Sequence, residues 1–170
     1  MSFFSAFGAG SGKTGEAGRV AVVTARDAAR RLELLDDFEQ AGIGWIWASD
    51  AEGRLIYISE NAATQLDRPV GALLARSLVD LFEVDTANPG ATSDRPLKFL
   101  LTAQKKMSDL VVRFIDGSKG RDQPGQIWWM LTGHPKFGAD GKFLGYRGSA
   151  RDVTLDYERK LADTLAAEYD

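Results

Sequence analysis

With 170 residues, 44% of them hydrophobic and 26% charged, the chain is long enough for one domain with extensions and too ordinary in composition to be wholly disordered or fibrous. Its formal net charge of -3 gives no long-range field to gather a polyanion, and no one-sided stripe of Lys and Arg shows in the sequence, so nucleic acid is not an expected ligand. Cysteine is absent, which removes disulfides, thiolate metal sites, cysteine nucleophiles and photochemistry that needs a cysteine adduct.

Residues 1–18 are rich in Gly, Ser and Ala without periodicity and read as a flexible tail. The opening MetSerPhePheSerAlaPhe has no basic residue ahead of it and is a poor signal peptide, and no run nears the ~18 apolar residues of a membrane span. A cytoplasmic chain without a membrane partner is the expectation. Gly8-Ala9-Gly10-Ser11-Gly12-Lys13-Thr14 resembles a phosphate-binding loop but fails on spacing. Phe7 stands where the pattern needs a glycine, and no buried strand precedes it to aim the backbone N–H groups.

A helical extension is expected over 19–41. Thr24 and Asp27 make a capping-box-like start to an amphipathic helix over 25–40, with Ala28, Leu32, Leu35 and Phe38 at helical spacing. Val20, Val22 and Val23 fit either a short strand or a helical turn. Ile43 to Ala48 and Leu55 to Ile58 flank the turn residues Asp50-Ala51-Glu52-Gly53 and read as a hairpin. Helical propensity returns at Glu60, and short helices continue to about Lys106, with Pro69 and Pro96 at starts and a loop from Ala87 to Arg95. Leu110 to Ile115, Ile127 to Leu131 and Phe143 to Val153 read as three antiparallel strands, joined by a loop from Asp116 to Gly125 and a turn over Gly138 to Gly141. The chain is helical from Thr154, with Tyr157, Leu161, Leu165 and Tyr169 in one stripe. The order of elements indicates an α+β domain over 42–154 with an output helix over 155–170.

The chemistry candidates are few. His134, the single histidine, lies beside Pro135 near a turn and reads as a surface residue rather than an axial ligand or general base. Asp80, Glu83 and Asp85 could hold a cation but read first as a solvated face, as do Asp36 and Asp37. Trp45 and Trp47 share one face of their strand, while Trp128 and Trp129 fall on opposite faces of theirs. Core packing and a pocket for a flat ligand both fit them; as a pocket, its candidates are Trp45, Trp47, Tyr57, Asn61 and Trp128. At the last corner, Thr154 is placed to cap the helix by accepting from the N–H of Asp156 or Tyr157, with Asp156 suited to the helix dipole.

Asp50-Ala51-Glu52-Gly53 before a strand, Asn61-Ala62-Ala63 opening the next helix, Gly141-Lys142-Phe143-Leu144-Gly145-Tyr146-Arg147-Gly148 and the closing Asp152-Val153-Thr154 together resemble a PAS domain of bacterial signalling proteins, over about residues 30 to 156. The resemblance implies a five-stranded antiparallel sheet with short helices on one face and flanking N- and C-terminal helices. It implies a non-catalytic sensory or dimerisation module that relays ligand or partner state through the last helix, with Asp152 and Thr154 as the relay. A pure protein–protein interaction domain without ligand is the alternative. A homodimer is expected, with Leu32, Leu35, Leu161 and Leu165 as interface candidates, and a downstream effector such as a histidine kinase or a cyclic-dinucleotide enzyme. A non-covalent flavin or small metabolite fits as ligand. Cysteinyl-flavin is excluded for want of cysteine, and haem is disfavoured because no histidine lies between Arg95 and Lys106.

Overall fold

The computed structural model describes residues 13–86, 95–115 and 125–169, with side chains from Thr24 onward. The expected tail through residue 12, with most of the Gly8 to Thr14 motif, and the greater part of the loops expected at 87–95 and 116–125 lie outside the described residues. The chain falls into two units, one ending at Phe38 and the other beginning at Glu39.

The first unit holds most of helix α1 (Lys13–Gln40), 28 residues long. It begins well before the expected start at residue 25, so residues 13–18 are helix where composition reads as tail, and Val20 to Val23 are helical. The glycines at 15 and 18 each cost about 1 kcal/mol relative to Ala. Extending a helix that is already nucleated is nevertheless easier than starting one, and Lys13, Glu16, Ala17, Arg19 and Ala21 are good helix formers. Asp27 is therefore mid-helix and pairs with Arg31 at 3.1 Å instead of closing a capping box.

The second unit is built on an antiparallel sheet of six strands, β1 (Trp45–Ser49), β2 (Leu55–Ile58), β3 (Phe82–Val84), β4 (Met107–Phe114), β5 (Trp128–Phe137) and β6 (Phe143–Asp152), in the order β2-β1-β6-β5-β4-β3. Between them come α2 (Glu60–Gln65), α3 (Val70–Leu73), α4 (Leu78–Leu81) and α5 (Leu97–Thr102), and α6 (Thr154–Glu168) closes the chain. Five strands were expected; the sixth is β3, whose Phe82, Glu83 and Val84 pair with Phe114, Arg113 and Val112. The sequence hides it because three residues give no readable alternation. Pro69 and Pro96 stand immediately before α3 and α5, in extended conformation, as the helix-start reading requires.

β5 runs six residues past Leu131, through Pro135. Proline removes a ladder donor and belongs where one side of a strand is open. That holds here: β4 pairs with β5 only as far as Met107 opposite Gly133, so beyond Gly133 only β6 flanks β5. The inner face of the sheet and the short helices share one large core that includes Trp45, Trp47, Leu55, Leu81, Phe82, Trp129, Leu131 and Tyr146. Gly133 and Gly148 lie opposite each other in this core. A Cβ on Gly133 would meet the Trp47 ring at 3.0 Å, and one on Gly148 would meet it at 2.7 Å and the Thr132 carbonyl at 2.1 Å, so the bare backbone at both positions is the seat of the indole.

Candidate functional site

Trp45 and Trp47 do point to one side of the sheet, and both are 1% exposed. The tryptophan of β5 that joins them is Trp129, whose ring meets that of Trp45 edge-on at 5.2 Å; Phe82 stacks on Trp45 at 6.2 Å. Trp128 is on the other face, so its place among the pocket candidates is corrected: it packs with Val111, Val153, Met130 and Tyr157. The alternation of the strand left two assignments for the Trp128–Trp129 pair, and only the register decides between them. Trp47 donates its indole N–H to the Ser149 carbonyl at 3.2 Å. The buried indole N–H groups of Trp45 and Trp129 have no partner among the described residues.

Tyr57 and Asn61 do not line that core. Tyr57 is exposed on β2, and its hydroxyl lies 3.4 Å from Glu39 Oε1. Asn61 Nδ2 donates to the carbonyls of Glu39 (2.8 Å) and Gly44 (3.1 Å), which ties the end of α1 to the approach of β1. Ser59 completes this clasp: its hydroxyl donates to Glu39 Oε1 at 2.7 Å and accepts from the Ile46 N–H at 2.8 Å. Glu39 and Ser59 carry no signal in the sequence, since a glutamate in an acidic helix and a serine before another read as solvent-facing and as an N-cap.

A second clasp joins the β1–β2 turn to the start of β6. Asp50 Oδ1 accepts from the N–H groups of Glu52 (3.0 Å) and Arg54 (2.9 Å), while Oδ2 takes the Arg54 Nε–H at 2.8 Å. Fully buried Ser49 accepts from the Tyr146 N–H at 3.0 Å through its hydroxyl, and its carbonyl accepts from Arg147 Nη1 at 2.8 Å. Gly145, at φ +106°, passes so close that a Cβ would stand 2.1 Å from the Ser49 carbonyl oxygen. Beside this clasp opens a cleft of about 370 Å³, whose lining includes Glu52, Leu101, Gln104 and Phe143. The Tyr146 hydroxyl donates to the Lys105 carbonyl at 2.8 Å, and burial pushes the phenol above its ordinary pKa.

The third junction is the corner from β6 to α6. The Thr154 hydroxyl does not cap its own helix as the spacing suggests. It accepts from the Trp128 N–H of β5 at 3.0 Å and donates to Asp152 Oδ1 at 2.6 Å. Asp152 supplies the turn instead, accepting also from the Thr154 N–H at 2.8 Å. Such a carboxylate two residues upstream satisfies a helix-start donor and frees the hydroxyl to reach the neighbouring strand. The Val153 N–H donates to the Trp128 carbonyl at 2.9 Å, and Tyr157 stacks on the Trp128 ring at 4.0 Å with an interplanar angle of 18°. Beyond Tyr157 the helix buries nothing: Leu161 and Leu165 are 38% and 48% exposed. Leu32 on α1 is likewise exposed, whereas Leu35 is half-buried. The remaining polar candidates separate. Glu83 pairs with Arg113 at 2.8 Å, Asp85 is buried, and no group of three acidic or imidazole ligands that could hold a metal occurs among the described residues.

This arrangement, a twisted antiparallel sheet with short helices on one face and a C-terminal helix leaving from its last strand, is the fold of PAS and light-oxygen-voltage domains. Among solved structures the chain is similar to an RNA-binding light-oxygen-voltage receptor, with a TM-score of 0.58 and 16% identity over 84% of this chain and 39% of that one. It is similar to a light-oxygen-voltage domain studied with a flavin analogue (TM-score 0.51, 16% identity, 80% of this chain and 96% of that one). The dark structure of the Aureochrome1 LOV blue-light photoreceptor is a further match (TM-score 0.50, 18% identity, 79% and 94%). The chain also spans 39% of a chain in the E. coli DhaR(N)-DhaL complex. No protein-family profile matches the chain, and no curated protein does. No helix among the described residues is long and apolar enough to cross a membrane.

Proposed function

We propose that this chain is a PAS-type regulatory module which dimerises and passes a change of state in its sheet, through the Asp152 to Thr154 corner and α6, to an effector carried on the same polypeptide. The observation behind this reading is the attachment of α6. Its first turn is bonded to β5 through Thr154 and Val153 and stacked on it through Tyr157, while its later turns are bare. A movement of β5 is therefore transmitted to a helix none of whose later residues is buried. The exposed Leu161 and Leu165 of α6, and separately the exposed Leu32 and half-buried Leu35 of α1, are the surfaces for pairing. A cytoplasmic setting and an effector of the histidine-kinase or cyclic-dinucleotide type belong to this proposal. The direct test is a chimera in which α6 is joined in register to a kinase domain of known output. Thr154→Val should change that output while the thermal midpoint of the chain moves by only a few degrees; unaltered output would end the relay reading.

What moves the sheet is a partner or the state of the dimer rather than a flat ligand in the core. Trp45, Trp47, Phe82 and Trp129, each at most 2% exposed, pack together in the described core, and this packing supports a partner-driven module over a flat ligand held there. One observation favours the reading with a ligand: the unpartnered buried indole N–H groups of Trp45 and Trp129, which a bound acceptor or water would satisfy. A visible absorption spectrum of the purified protein, with mass spectrometry of what denaturation releases, separates the two readings. A colourless protein that releases nothing supports the partner-driven module, and a stoichiometric small molecule supports the sensor of a ligand.

A further inference from the structure

Two turns of the second unit meet at one end of the sheet. The β5–β6 hairpin closes there, with Phe137 paired to Phe143 across the turn from Gly138 to Gly141. β4 begins at Met107 opposite Gly133, so Lys105 and Lys106, just ahead of it, come up beside the last residues of β5. The bond from the Tyr146 hydroxyl to the Lys105 carbonyl fixes that level, and Gln104 and Phe143 line the same cleft.

The hairpin tip is apolar where a turn is ordinarily polar. Phe137 and Leu144 are 48% and 38% exposed, and neither lines the neighbouring cleft. Both are supported from below. The Phe137 ring packs on Phe143 at 5.7 Å, and Phe143 meets the buried Tyr146 edge-on at 5.5 Å. Leu144 Cδ1 lies over Gly138, 3.6 Å from where a Cβ would stand. The core thus holds two apolar side chains out into solvent on a projecting turn. Around them Lys105, Lys106, Lys136 and Lys142 are exposed, and none has an ion pair among the described residues. The acids nearby are engaged: Asp50 and Glu52 pair with Arg54 at 2.8 and 3.6 Å, and Asp140 Oδ1 accepts from the Lys142 N–H at 3.0 Å. Asp109 lies farther from the tip, beside Thr132.

We infer that this end of the domain is a docking surface for a membrane that carries anionic lipid, with Phe137 and Leu144 entering the headgroup region and the four lysines lying against lipid phosphates. Charge complementarity and shape select that occupant. A projecting apolar tip suits a fluid surface that parts around it, whereas a protein partner needs a matching pocket, and lysine is depleted in protein interfaces. The apolar stem of lysine lies along an apolar surface while its ammonium reaches a phosphate. Two apolar side chains hold a neutral bilayer weakly, so attraction to anionic lipid supplies the rest. The expectation of no membrane partner rests on the lack of a spanning run, which a hairpin lying at the surface does not need. The inference is independent of the relay through α6.

The test sediments the 170-residue chain with vesicles of phosphatidylcholine alone, or with about one-third phosphatidylglycerol, at about 50 and 500 mM NaCl. Partition onto the anionic vesicles should exceed that onto the neutral ones about tenfold or more at low salt and fall at high salt. Lys105→Glu/Lys106→Glu/Lys136→Glu/Lys142→Glu should abolish it, and Phe137→Ser/Leu144→Ser should lower it about tenfold, with circular dichroism unchanged. Phe137→Trp keeps the tip apolar, and its added emission should shift to the blue with anionic vesicles only, a readout that holds even where the serine variant folds poorly. No partition at low salt overturns the inference, and so does partition that neither set of substitutions alters. Equal binding to soluble polyglutamate, with no emission shift from Phe137→Trp on vesicles, makes the occupant an acidic protein, and the inference fails.

Discussion

The inner and outer faces of the sheet are stabilised by different means and on different scales. Inside, Trp45, Trp47, Trp129, Phe82, Tyr146 and the leucines of β2, α3, α4 and β5 form one continuous cluster, reinforced by backbone approaches that tolerate no side chain at Gly145 or Gly148. Outside, the buried apolar cluster is Val111, Trp128 and Val153, capped by Met130 and Tyr157. The proposed relay requires the first arrangement to move as a unit and the second, a small contact, to release α6 without opening it, and local openings of this kind cost far less than global unfolding.

Substitutions can break this contrast, and the largest effect is expected at Gly145. Valine there must take φ +106° and displace the Ser49 and Asp50 backbone, so the protein should lose more than about 4 kcal/mol or fail to fold, as urea titration would report. Trp129→Ala should cost about 3–5 kcal/mol through the cavity it leaves, with α6 and core melting together. Tyr157→Ala is expected to behave otherwise, lowering helix content through α6 while the near-ultraviolet signal of the core tryptophans keeps its thermal midpoint within a few degrees. Thr154→Ala should weaken the corner by about 1 kcal/mol by stranding the Trp128 N–H, and Thr154→Ser should restore it.

The smallest expected effect depends on pH. Burial raises the Tyr146 pKa in the folded state, so the folded form resists losing that proton more than the unfolded chain does. The corresponding stability is fully present below about pH 10, the unfolded value, and is lost as pH rises through the higher folded value. Tyr146→Phe should therefore flatten the alkaline fall in stability. An unchanged alkaline limb would place the responsible group elsewhere.

Much of the frame is legible in the sequence, for reasons particular residues make plain. The Asp50 to Gly53 turn, the Pro69 and Pro96 starts and the Gly138 to Gly141 turn are local chemistry, and local chemistry survives in one dimension. β3 was hidden by its brevity, and the second half of β5 by Pro135, which is tolerated only because β4 has already ended its pairing. The site was harder to read. Which of Trp128 and Trp129 joins Trp45 and Trp47, and whether the Thr154 hydroxyl serves its own helix or β5, depend on register and long-range partners, which no single segment encodes. Asn61, a pocket candidate by sequence, donates to the Glu39 and Gly44 carbonyls, partners that its own segment does not encode.

Native-state hydrogen exchange of the whole chain, read amide by amide, tests the central claim most directly. Amides of α6 from Tyr157 to Thr164 should exchange through a local opening of low free energy, unaffected by small amounts of denaturant, while the Leu131 and Ala150 amides exchange only with global unfolding. If α6 and the inner strands open together at one free energy, α6 is part of the frame, and the Asp152 to Thr154 corner is not a separable joint.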